Sequence, residues 1–133
     1  MNRNTIYRIT GTDHFSNATA LMKKADLASM IEEACPFKGK NARILVKPNL
    51  VSPTPARLGA TTHPQLVEAV IAYLKDEGFG NIVVAEGSWV GAKTEKSLDV
   101  CGYKDILKKY NVDFINTKKD DAVRVDCAGL SLL

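Results

Sequence analysis

Two uninterrupted apolar runs, Ile44-Leu45-Val46 and Ile82-Val83-Val84, flank a stretch with helical periodicity, and this alternation is what most restricts the fold. Short β-branched runs of this kind read as strands covered on both faces. The first, over residues 43–47, is closed by Pro48, which cannot donate to a ladder. The second, over residues 81–85, runs into Glu86-Gly87-Ser88. Between them Val67, Val70, Ile71 and Leu74 fall on one helical face, and Gly78 stands where a left-handed residue ends a helix. The helix starts in Thr62-His63-Pro64-Gln65: Thr62 is expected to cap it with Gln65 reaching back, and Pro64 suits a first turn.

The same pattern continues on either side. Residues 17–35 place Leu21, Ala25, Ala28, Ile31 and Cys35 at helical spacing, and Pro36 and Gly39 follow as stop signals. A third helix is expected within residues 97–110, where Tyr103, Ile106, Leu107 and Tyr110 are periodic and Gly102 interrupts. Residues 112–115 read as a third strand. Residues 122–127 alternate Val123 and Val125 with Arg124 and Asp126, as in a strand with one wet face. A short strand is expected over residues 5–10, ahead of turn residues Gly11, Thr12 and Asp13.

Strands alternating with helices call for crossover connections and a parallel sheet. The expected class is α/β: a mostly parallel, Rossmann-like sheet with helices on its faces. At 133 residues, the chain reads as a single domain over residues 1–133. The apolar ending Gly129-Leu130-Ser131-Leu132-Leu133 reads either as a fragment of a larger domain, truncated at its carboxyl end, or as a last strand tucked into the sheet.

Charge and cysteine content exclude several classes. A net charge of +3, with acidic residues interspersed among basic ones and 7% aromatic residues, does not suggest nucleic-acid binding. Three cysteines, Cys35, Cys101 and Cys127, form no Cys-x-x-Cys pair, which argues against a disulfide framework and a self-contained metal cluster. No signal peptide or membrane-length apolar run is visible, and a reducing, cytoplasmic location is expected.

In open parallel sheets ligands bind beyond the carboxyl ends of the strands, so Lys47-Pro48-Asn49, Glu86-Gly87-Ser88 and Asn116-Thr117 should share a rim. A helix start near Thr62 would add unpaired amides and a positive dipole end. The expected site is an anion cradle: Lys47 as counter-charge, Asn49 and Ser88 as hydrogen-bonding groups, Thr61 and Thr62 as hydroxyl donors. Each has an ordinary structural alternative: a lysine stem along apolar surface, an Asx turn, a helix cap. His63 and Glu86 are the candidate acid or base residues. Both also suit plain roles, at a helix start and in a turn, and their spacing does not demand a metal. Trp89 beside Gly91 could offer a stacking surface or simply pack. No Gly-x-Gly-x-x-Gly or Walker loop is present.

Ile44-Leu45-Val46-Lys47-Pro48-Asn49-Leu50, then Thr61-Thr62-His63-Pro64, then Ala85-Glu86-Gly87-Ser88 resemble the family called domain of unknown function 362, in that order. The resemblance runs from about Ile6 to the carboxyl end. It implies longer relatives, many of which join this domain to ferredoxin-like, cysteine-rich segments. A 4Fe-4S cluster would therefore reach this chain only through segments absent from it. The layout is distantly similar to the amino-terminal domain of nickel-dependent lactate racemases, which implies a small-acid or nucleotide-cofactor site. Two functions are compatible with these residues: an anion-binding, redox-linked enzyme half, or a non-catalytic partner or scaffold module of an iron–sulfur protein.

Overall fold

A computed structural model describes residues 5–123. Three strands, β1 (Ile44–Val46), β2 (Ile82–Glu86) and β3 (Asp113–Asn116), form a parallel sheet in the order β1-β2-β3. Helix α1 (His14–Ala25) and helix α2 (Leu27–Ala34) precede the sheet. Helix α3 (Pro64–Asp76) joins β1 to β2, and α4 (Thr94–Val100) with α5 (Tyr103–Tyr110) joins β2 to β3. The fold is α/β with a parallel open sheet, as the alternation of strands and helices requires.

Strand register explains where the core lies. Ile44 pairs with Ile82, and Val46 with Val84, which pairs in turn with Phe114. These residues point to one face and join Val67, Ile71, Leu74, Tyr103 and Ile106 from the helices in one apolar cluster. Helix α3 packs between α1 and α5 on that face. Alternation sends Leu45, Val83 and Ala85 to the other face. Central β2 is buried along its whole length, but Leu45 is 60% exposed. The expectation that the first strand is covered on both faces fails: the Leu45 face of β1, an edge strand among the described residues, is left largely open.

Three further expectations need correction. Residues 5–10 form no strand, and Ile6 is 92% exposed. Ile6 and Ile9 are three residues apart, so a strand would place them on opposite faces and bury only one. Residues 17–35 form two helices rather than one. Asp26 adopts a left-handed conformation (φ 53°, ψ 52°) that short polar side chains tolerate, and its amide closes α1 onto the Lys23 carbonyl at 3.2 Å. The break directs α2 so that the Ala28 amide donates to the Tyr73 hydroxyl at 3.2 Å. The start of α1 also lies earlier than expected, because Asp13 caps it by accepting from the Ser16 amide at 3.0 Å.

Gly102, with φ 74°, separates α4 from α5, and Gly78, with φ 88°, follows α3, both as the sequence suggests. The strand expected over residues 122–127 lies outside the described residues, apart from Ala122 and Val123, which have no regular structure.

Candidate functional site

The carboxyl ends of the strands are linked by side chains. At the end of β1 the Lys47 Nζ donates to Glu86 Oε2 at 2.8 Å, and the other Glu86 oxygen accepts the Gly87 amide at 2.7 Å. Lys47 is 62% exposed and Glu86 only 10%, so the carboxylate sits in the wall and the ammonium faces outward. The 47–63 loop then folds back on itself. The Asn49 amide donates to Thr62 Oγ1 and the Thr62 amide donates to the Asn49 carbonyl, both at 2.9 Å. Asn49 Nδ2 donates to the Ala60 carbonyl at 3.1 Å, and Leu50 and Thr61 form an antiparallel bridge.

Thr62 therefore does not cap α3. Its hydroxyl is taken by Asn49, and the N-cap position belongs to His63, whose side chain makes no capping bond. Pro64 opens the helix as expected. Thr61 is buried and donates to the Thr54 carbonyl at 3.0 Å, and the Cys101 thiol approaches the same carbonyl at 3.2 Å. Ser88, also buried, donates to the Leu50 carbonyl at 2.6 Å and lies 2.9 Å from Ser97 Oγ. The Tyr103 hydroxyl donates to the Thr62 carbonyl at 3.0 Å, and burial raises its pKa well above the ordinary value.

Six of the seven residues expected at the rim thus fall into bonded groups: Lys47 with Glu86, Asn49 with Thr62, Ser88 with the Leu50 carbonyl, and Thr61 with the Thr54 carbonyl. His63 stands apart from Glu86. Its ring packs against that of His14, with centroids 4.2 Å apart and a 43° tilt, and no hydrogen bond joins it to Glu86 among the described residues. No group of three or more His, Cys, Asp or Glu side chains is arranged to hold a metal among the described residues. Cys35 and Cys101 are free thiols outside any such group, so they do not fit as ligands of an iron–sulfur cluster.

Beside these bonded groups lies open space. A cleft of about 380 Å³ between the β2 and β3 loops is lined by Lys93, Thr94, Glu95, Asn116, Lys118 and Lys119. An adjoining cleft of about 470 Å³ shares Ala92 and Lys93 and adds Ser52, Pro53, Trp89, Gly91 and Lys96. Glu95 closes one wall by pairing with Lys119 and accepting from Asn116 Nδ2 at 3.0 Å. The hydrogen bond from Lys119 holds the Glu95 carboxyl down at about 2. Lys118 Nζ donates to the Ala92 carbonyl at 2.9 Å and reaches the Trp89 and Val90 carbonyls at 3.4 Å.

Lys93, Lys96, Lys118 and Lys119 are not among the residues expected at the site from the sequence. The signal was there: two lysines follow Asn116-Thr117 at a strand end, and two more flank Thr94-Glu95 at a helix start on the same rim.

Residues 44–132 match the family model described as Domain of unknown function (DUF362). The chain belongs to this family. The match begins at the first residue of β1, so α1 and α2 lie outside it, narrower than a resemblance starting near Ile6. All three family-like segments fall inside the match and are the segments bonded together at the rim. No curated protein and no solved structure matches the chain, so the comparisons lend the lactate racemase layout no support. Among the described residues, no helix is long and apolar enough to cross a membrane.

Proposed function

We propose that the chain binds an anionic, phosphate-bearing small molecule at the carboxyl edge of its sheet, as the ligand-holding half of an enzyme. The observation that carries this reading is the pair of adjoining clefts, where Lys93, Lys96, Lys118 and Lys119 stand against the single carboxylate of Glu95. Clefts of this size are typical of small-molecule sites, and the carboxyl edge is where open parallel sheets take their ligands. The Lys47 ammonium is drawn to Glu86, so Lys47 supports the rim while Lys93 and Lys96, unpaired among the described residues, receive the anion.

Thermal unfolding in the presence of inorganic phosphate, pyrophosphate and citrate tests this. A ligand of the folded state raises the midpoint with concentration. The expected result is a rise that the Lys93→Ala, Lys96→Ala double variant abolishes. An unchanged midpoint with all three probes contradicts the reading.

A second reading, a non-catalytic partner module of an iron–sulfur protein, draws on a different observation. Asn49, Thr61, Thr62 and Ser88 direct their polar groups to neighbouring loops, as residues do when their task is to shape a surface. Recovery of the full-length protein from its host with no redox protein attached would count against this alternative.

A further inference from the structure

Trp89 is the chain's only tryptophan, and it is 68% exposed. The indole stands at the wall of a cleft, where its flat apolar face is open to a ligand. Its backbone is fixed on three sides. The Trp89 amide donates to the Val51 carbonyl at 2.8 Å, the Ala92 amide donates to the Trp89 carbonyl at 2.8 Å, and Lys118 gathers the carbonyls of Trp89, Val90 and Ala92. The ring lies against Gly91 so closely that an added Cβ there would collide with Cζ3 and sit 3.0 Å from Cε3. Gly91 has no positive φ, so its lack of a side chain serves the ring's position rather than a backbone turn. A braced, exposed aromatic face thus stands in the same cleft as Lys93 and Lys96.

We infer that this cleft takes a nucleoside phosphate, its base stacked on Trp89 and its phosphate held by Lys93 and Lys96. The inference rests on the anion reading above and adds the ring. The flat base contributes by stacking, which needs no base-specific hydrogen bonds. The phosphate is met by ammonium groups on loop and helix rather than by a glycine-rich loop, which fits the absence of dinucleotide and Walker signatures. The combined clefts leave room for both parts of such a ligand.

The test uses adenosine monophosphate and inorganic phosphate as probes, with Trp89 emission and calorimetry as readouts. Adenosine monophosphate is expected to quench Trp89 saturably and to bind more tightly than phosphate. Trp89→Ala should lower its affinity about tenfold, the stacking contribution of one base, and leave phosphate affinity unchanged. Gly91→Ala keeps the fluorophore but displaces the exposed ring, so it should weaken adenosine monophosphate similarly with an unaltered unfolding midpoint. Equal affinities for the two probes, or Trp89 and Gly91 variants that bind adenosine monophosphate like the native chain, would overturn the stacking inference and leave the anion reading intact. Binding of neither probe would overturn both.

Discussion

Lys47 and Glu86 bridge the ends of β1 and β2 with a 2.8 Å ion pair in which the carboxylate is almost enclosed and the ammonium is largely exposed. The asymmetry sets what each substitution should do. Lys47→Ala leaves Glu86 with only the Gly87 amide and should lower stability by about 1–3 kcal/mol, below the loss for a fully buried pair because solvent reaches Lys47. Adding Glu86→Gln should recover part of that loss, since the uncompensated charge is gone. Urea unfolding of the single and double variants measures both effects, and a Lys47→Ala variant as stable as the native chain would refute them.

Ser88 ties the third family segment to the first. Removing its hydroxyl orphans the Leu50 carbonyl in a buried setting, so Ser88→Ala should cost about 1–3 kcal/mol in chemical denaturation, with no change in the sheet's circular dichroism signature.

Asp26 carries the turn between α1 and α2. A β-branched side chain is ill suited to φ 53°, so Asp26→Val should destabilise by about 1–2 kcal/mol, whereas Asp26→Gly should be neutral or stabilising. Paired thermal melts decide this, and equal midpoints for the two variants would contradict it.

Glu95 gives a pH signature at the cleft. Its folded pKa of about 2 lies below the ordinary glutamate value of 4.5, so the Glu95–Lys119 pair favours the folded state above about pH 4.5 and loses that contribution as pH falls toward 2. A carbon-detected titration should place the Glu95 midpoint near 2, and Lys119→Ala should return it toward the ordinary glutamate range. A native midpoint already in that range would disprove the pairing.

Sequence patterns reveal elements better than their surroundings. The Ile82-Val83-Val84 run identifies a central strand because both of its faces are buried, and Pro64 and Gly78 mark the bounds of α3. The similar run Ile44-Leu45-Val46 forms an edge in the described sheet, and nothing in its composition says how many neighbours it has. Asp26 interrupts an unbroken helical periodicity, because a single left-handed residue changes direction without disturbing the spacing of apolar residues. At the rim, strand ends predict which residues lie near one another. They do not predict that Thr62 would satisfy Asn49 instead of α3, since that depends on how the 47–63 loop closes.

The central claim is that the carboxyl edge receives an anion, and amide chemical-shift mapping of the labelled chain against inorganic phosphate tests it most directly. Saturable shifts are expected at residues 89–97 and 116–119, and none around Lys40, Asn41, Gly78, Gly80 and Asn81, which line a separate cleft. Shifts confined to that second group, or no saturable shift anywhere, would contradict the account.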